Sequence, residues 1–121
     1  MTKPLELLQR VFGYDRFHPQ QERVITHVLS GKDALVLMPT GGGKSICFQV
    51  PALCLDGLTL VVSPLVSLQR DQVEALKANG VAAAVLNSTQ SADEAATVLQ
   101  DIANGTVKLL YVSPEKLFSP Q

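Results

Sequence analysis

Between Leu35 and Phe48 the chain reads LVLMPTGGGKSICF: an apolar run, a glycine triplet, a lysine and a serine. Thr40 leads into Gly41, Gly42 and Gly43, which let a backbone turn its N–H groups inward around anionic oxygens with no Cβ in the way. Lys44 follows at a position from which an ammonium reaches the β- and γ-phosphates of a nucleotide. The Ser45 hydroxyl can then ligate Mg²⁺. A helix beginning near Lys44 adds the partial positive charge of its N-terminus. The chemistry this spacing points to is binding of a nucleoside triphosphate, with Lys44 and Ser45 at the reacting phosphates. The strict phosphate-loop pattern has glycine where this chain has Met38. A flexible glycine turn beside an incidental lysine is the competing reading.

Such a loop works only if a strand delivers it and a helix leaves it. The apolar run ALVLM (34–38) predicts the strand, and Lys44–Cys54 the helix. Two helices are predicted upstream, over Pro4–Phe12 and Pro19–Leu29, the second ended by Ser30-Gly31. Downstream, TLVVS (59–63), AAAVL (82–86) and VKLLYVS (107–113) read as further strands, separated by helical stretches Leu65–Asn79 and Ala92–Asn104. Leu65, Leu68, Val73 and Leu76 fall near helical spacing, with Gln69, Arg70, Glu74 and Lys77 on the wet side. Asn79-Gly80 and Asn104-Gly105 read as helix C-caps rather than hairpin turns, because a helical pattern precedes each. Alternation of continuous apolar strands with helices predicts an α/β fold with a parallel sheet and flanking helices. Ligands of such sheets bind at the carboxyl ends of the strands.

Two Ser-Pro junctions lie at such ends. VVSPL and YVSPE each run from strand to serine to proline to helix, so Ser63 and Ser113 read as N-caps, with Pro64 and Pro114 at the first helical position. The adjacent acids Asp93-Glu94 follow no apolar strand and read as helix N-terminal charge.

At 121 residues and 46% hydrophobic the chain has room for a genuine core. A net charge of −1 excludes binding to nucleic acid by bulk charge. No run reaches transmembrane length, and the charged N-terminal stretch lacks the apolar core of a signal peptide. Cys47 and Cys54 share one predicted helix and read as small buried hydrophobes in a reducing compartment, rather than as a disulfide or metal site. The expectation is a soluble cytoplasmic protein with no membrane association, its oligomeric state left open.

Taken in order, FGYDRFHPQQERVI, VLMPTGGGKSICFQVPAL, LVVSPLVSLQRDQV and YVSPEKL resemble the successive N-terminal motifs of the RecQ family of superfamily 2 DNA helicases. Methionine at position 38 is usual there. The resemblance implies a RecA-like phosphate-loop domain, present in part, with residues 1–32 as adenine-recognition helices and 33–121 as the α/β part. It implies ATP and Mg²⁺ as cofactors, and single-stranded or partly duplex DNA as partner. The implied activity is ATP-dependent 3′→5′ unwinding in recombination and repair, through opening and closing of two motor domains. In a bacterium it implies association with the nucleoid.

By the same resemblance Gln21 is the adenine reader, a role its amide suits because it offers a donor and an acceptor together. Phe17 and Pro19 shape the base pocket. Ser63, Pro64, Arg70 and Ser113 face the DNA groove, where the hydroxyls and free N–H groups of the two serines contact phosphates without net positive charge. From the residues alone, Gln21 reads first as an exposed helix glutamine, and Arg70 reads equally as part of a solvated helix face. His18 stands where the family usually has arginine, and Gln20 where it has a small residue, which weakens the expected base contact. The family's Asp-Glu-x-His box is absent from these 121 residues, and the resemblance implies no second motor domain among them. The chain alone is therefore expected to hold ATP without splitting it. The alternatives are a non-catalytic nucleotide- or partner-binding fragment, and a small-molecule kinase. The Gln21 segment and the Ser-Pro junctions count against the kinase.

Overall fold

Proline at position 19 cannot donate a hydrogen bond, so it suits the start of a helix, and the chain uses it so. The computed structural model describes residues 2–37 and 43–118 and divides into two compact units, Met1–Asp56 and Gly57–Gln121.

In the first unit α1 (Thr2–Leu7) runs into a π-helical turn over Leu8–Phe12, closed by the Gly13 N–H donating to the Leu8 carbonyl. α2 spans Pro19–Leu29 and α3 spans Ile46–Cys54. Leu8, Phe17, Ile25, Ile46 and Val50 form one buried cluster, with Leu5, Phe12, Leu29 and Cys54 packed around it. Full burial of such side chains contributes about 1.5–3 kcal/mol each. α3 is apolar nearly all round, with Ile46, Cys47, Val50, Pro51 and Ala52 buried. Pro51 removes one rung of its hydrogen-bond ladder, and the helix ends three residues later.

The strand expected over 34–38 is not formed in its described part. Residues 34–37 pair with no other described strand, and Leu35 and Leu37 are 90% and 87% exposed. An apolar run becomes a strand only when a neighbour accepts its backbone hydrogen bonds, and no described residue does so here.

In the second unit β1 (Thr59–Val62), β2 (Ala83–Leu86) and β3 (Leu109–Val112) make a parallel sheet in the order β1-β3-β2. α4 (Val66–Ala78), α5 (Ala92–Ala103) and α6 (Pro114–Phe118) alternate with them. The α/β parallel architecture is therefore as expected, with three strands rather than four among the described residues. Central β3 is buried along its whole length, as a strand covered on both faces requires.

Register pairs Leu60 and Ala84 with Leu110, and Val62 and Leu86 with Val112, so these six side chains share a face. Ala95, Val98 and Ile102 of α5, with Val107, cover the β2–β3 part of it. Leu60 and Val62, on edge strand β1, stay about half exposed. On the other face Tyr111 is buried, and its hydroxyl donates to Gln72 Oε1 of α4 at 2.7 Å.

α4 presents a different face from the one its leucines suggest. Gln69, Val73 and Leu76 are buried, one helical stripe, while Leu65 and Leu68 are exposed. Leu65 is the N-cap and lies outside the helix, so the stripe begins one turn later than hydropathy implies. Both Asn-Gly stops are found: Asn79 and Asn104 cap α4 and α5, and Gly80 and Gly105 take the left-handed conformation.

Asp93 and Glu94 sit in the first turn of α5, as the sequence suggests, in a reciprocal cap. Ser91 N–H donates to Glu94 Oε1 at 3.0 Å, and Glu94 N–H donates to Ser91 Oγ at 3.1 Å. The Ser91 N–H, then the Ser91 hydroxyl, hold the Glu94 carboxyl below its ordinary value of 4.5, with a smaller pull from Arg70. A depressed folded value means the cap stabilises above the unfolded value and is lost as pH falls through the folded one. Titration of the Glu94 side chain by NMR is expected to give a midpoint below 4.5, moved upward by Ser91→Ala. A midpoint indifferent to that substitution would discard the Ser91 hydroxyl as a cause and leave the shift to the Ser91 N–H.

Candidate functional site

Thr40, Gly41 and Gly42 lie outside the described residues, as do Met38 and Pro39. The described part of the candidate nucleotide site begins at Gly43. Gly43 has φ 77°, a region open to glycine at little cost. A Cβ there would collide with Gln21 Nε2. The contact is a hydrogen bond: Gln21 Nε2 donates to the Gly43 carbonyl at 3.2 Å. Gln21 Oε1 meanwhile accepts the His18 N–H at 2.9 Å. His18 is the extended residue before α2, and Pro19 opens the helix.

One side chain thus closes the N-terminus of α2 and ties it to the loop beside Lys44. Gln21 is buried at 5% exposure, so the solvated-helix reading of it does not hold. A primary amide has two protons and two lone pairs, so one of each remains after these two bonds.

Lys44 is exposed and Ser45 half-buried. The Lys44 carbonyl accepts Cys47 N–H at 3.0 Å and the Ser45 carbonyl accepts Gln49 N–H at 2.9 Å, which starts α3 directly behind them. The Ser45 side chain makes no cap bond to that helix. An ammonium, an uncapped hydroxyl and a helix N-terminus in sequence are a donor set that fits a magnesium-bound triphosphate, with Ser45 as one oxygen ligand among phosphates and waters. Phe17 is part of the buried cluster and Pro19 is exposed.

Cys47 Sγ lies 4.0 Å from the Gly43 carbonyl. Burial pushes its thiol up from the ordinary value, against a smaller lowering by a backbone hydrogen bond. Neither cysteine is in a disulfide; Cys47 is buried and Cys54 half-buried.

The second unit brings Ser63 and Ser113 to one sheet edge. Each follows its strand by one residue, and each extends the ladder: Ser63 N–H donates to Val112 O at 3.1 Å, and Ser113 N–H to Leu86 O at 3.2 Å. The serine N–H groups expected to be free for phosphate are therefore used by the sheet. Ser113 Oγ accepts Lys116 N–H at 3.4 Å and is buried, the expected N-cap before Pro114. Ser63 departs from that expectation. Its Oγ accepts the Leu65 N–H at 3.2 Å within a turn containing Pro64, and α4 starts only at Val66. The first turn of α4 carries no side-chain cap, and such a turn leaves its leading amides without helical partners. Arg70 is exposed on the next turn.

Residues 18–120 match the DEAD/DEAH box helicase family. The chain belongs to that family. Within it, the likeness is to RecQ helicases. The chain is 55% identical over 115 residues to the ATP-dependent DNA helicase RecQ of Haemophilus influenzae, covering 95% of this chain and 19% of that protein. It is 56% identical over 115 residues to RecQ of Pasteurella multocida, and 49% identical over 121 residues to the probable ATP-dependent DNA helicase RecS of Bacillus subtilis. The chain spans about a fifth of the length of the two RecQ proteins. A crystal structure of a hypothetical ATP-dependent RNA helicase from Sulfolobus tokodaii superposes with a TM-score of 0.78 at 23% identity, over 97% of this chain and 35% of that one. That likeness carries the fold alone, an α/β arrangement of parallel strands and flanking helices. No helix among the described residues is long and apolar enough to cross a membrane.

Motif matching alone misses the polar set behind the sheet edge. Gln69 is fully buried and bonded to Ser63 and Asn87. The signal available in the sequence was its place four residues before Val73 and seven before Leu76, a core stripe that its polarity disguised.

Proposed function

We propose that these residues are the ATP-binding part of the first motor domain of a RecQ-type, ATP-dependent 3′→5′ DNA helicase acting in recombination and repair. In this reading residues 1–32 carry adenine recognition and 33–121 the phosphate loop and part of the DNA track. The observation that carries it is the Gln21–Gly43 hydrogen bond, which holds the base-reading amide one residue from the phosphate lysine.

Each group has a stated task. Gln21 offers adenine its remaining proton and lone pair, with Pro19 at the pocket rim and Phe17 holding it from the core. The run Thr40, Gly41, Gly42 and Gly43 is assigned to the phosphates by its composition, Lys44 balances the charge that builds on them, and Ser45 ligates Mg²⁺. The bound Mg²⁺-ATP supplies the phosphoryl chemistry. On the DNA side the uncapped first turn of α4, with the Ser63 hydroxyl, Pro64 and Arg70, lines the phosphate track. Ser113 serves it by capping α6 and extending the ladder to Leu86. Among the described residues no adjacent carboxylate pair directly follows a buried strand, so no described residue is assigned the hydrolytic step.

The test is base preference. Because Gln21 also supports Gly43, Gln21→Ala weakens binding of every nucleotide, so affinity alone does not isolate base reading. The ratio does: the preference for ATP over GTP is expected to fall about tenfold, the equivalent of about 1.4 kcal/mol. An unchanged ratio in a competition titration removes Gln21 from base recognition.

A further inference from the structure

Ser63, Ser113 and Asn87 each stand one residue past their strand, and the register Val62↔Val112↔Leu86 sets them in a row along the carboxyl edge. Behind the row, Gln69 reaches up from α4 with no exposed surface, and Asn87 is nearly as buried. Gln69 Nε2 donates to the Ser63 carbonyl at 2.6 Å, and Asn87 Nδ2 donates to Gln69 Oε1 at 2.9 Å. Asn87 Oδ1 accepts both the Thr89 N–H, at 3.0 Å, and the Thr89 hydroxyl. Gln90 completes the set, its Oε1 accepting Asn87 N–H at 3.1 Å and its Nε2 donating to Val85 O at 2.6 Å.

The orientation of every amide here is forced. The Ser63 carbonyl can only accept, so the Gln69 NH₂ must face it and the Gln69 oxygen must face Asn87. The Thr89 N–H can only donate, so the Asn87 oxygen must face it and the Asn87 NH₂ must face Gln69. The two backbone ends agree, and the chain between them has one solution. Among the described residues no buried side-chain polar atom lacks a partner. A buried network with a partner at each polar atom rigidifies what it touches, and what it touches is the backbone after β1 and the backbone after β2.

We infer that Gln69 and Asn87 are positioning residues for DNA binding: they touch no phosphate, and they hold the Ser63–Leu65 turn and the 87–90 loop at one fixed spacing along the sheet edge. This rests on the reading of that edge as part of the DNA track. The Ser63 carbonyl is pinned from behind, so the Ser63 hydroxyl and the start of α4 keep one orientation toward a phosphate. Without the pin the turn is free to rotate, and the strand end no longer presents a prepared contact.

The experiment uses the full-length protein and a fluorescent single-stranded oligothymidylate, with ATP as the second ligand. Gln69→Met keeps the length and removes both hydrogen bonds. Asn87→Ser keeps an acceptor near Thr89 and cannot reach Gln69. Each is expected to raise the oligothymidylate Kd, and the DNA concentration giving half-maximal ATPase, about tenfold, while KM for ATP stays within about twofold. That split is what general loosening of the fold would not produce. If Gln69→Met unfolds below the assay temperature, Asn87→Ser carries the same test. DNA binding equal to the parent, or DNA and ATP affinities falling together with the thermal midpoint, overturns the inference. Ser63→Ala separates the two layers. If it leaves DNA binding unchanged, the DNA-track reading fails and the inference with it. If it weakens DNA binding and neither network variant does, the inference alone fails.

Discussion

Lys44→Ala in the full-length protein is expected to lower DNA-stimulated ATP turnover by about 10²–10³-fold, the range that follows loss of one preorganised charge stabiliser at a reacting centre. Lys44 is exposed and stands two residues before α3, so its removal leaves the core of the first unit untouched. Stability should change by no more than about 0.5 kcal/mol, the usual limit for a surface position. ATP binding should weaken less than turnover, because the helix N-terminus still attracts phosphate while the charge built up during transfer goes unbalanced. Lys44→Arg is expected to recover little. A planar guanidinium does not replace a compact ammonium where a single charge must sit between two phosphates. Phosphate release measured against DNA concentration checks both variants, and a kcat for Lys44→Ala within about threefold of the parent would falsify the assignment.

Gly43→Ala should be nearly as damaging, through geometry rather than charge. At φ 77° an L-residue carries a strain of roughly 1–2 kcal/mol. Its Cβ would also strike Gln21 Nε2. The Gln21 amide can swing away only by giving up its bonds to the Gly43 carbonyl and the His18 N–H, at roughly 0.5–1.5 kcal/mol each. Both the loop and the entry to α2 are then released. Nucleotide affinity is expected to fall about tenfold or more, with a lowered thermal midpoint. In a Gln21→Gly background the collision is gone and only the backbone strain remains, so Gly43→Ala should cost less there. Equal losses in the two backgrounds, read from ATP titrations, would mean that Gln21 and Gly43 do not act together.

Legibility in the sequence followed the range of the interaction. α2 matches its expected bounds of Pro19–Leu29, and β1, β2 and β3 fall inside the runs TLVVS, AAAVL and VKLLYVS. Proline at a first helical turn, Asn-Gly at a helix end and a short apolar run are statements about neighbours in the chain. The Ser91–Glu94 cap is equally local, which is why Asp93-Glu94 was readable as helix charge.

The segment 34–37 was not readable in that way. Its composition is that of a buried strand, but pairing depends on a partner elsewhere, and among the described residues it has none. Gln69 looked solvated by chemistry, whereas α4 packs on β2 and β3 in a rotation that buries it against Asn87. The two Ser-Pro junctions read alike, yet Ser113 caps a helix and Ser63 closes a turn ahead of one.

The residues by themselves determined the chemistry on offer: a glycine triplet before Lys44 and Ser45, an amide at Gln21, and serines after apolar runs. Tertiary structure alone decided which of these groups remain available. It joined Gln21 to Gly43 across 22 positions of chain and used the serine N–H groups in the sheet. Periodicity and capping are written in adjacent residues, but hydrogen-bond partners are assigned only when distant backbone meets, and each donor given to the fold is one fewer for a ligand.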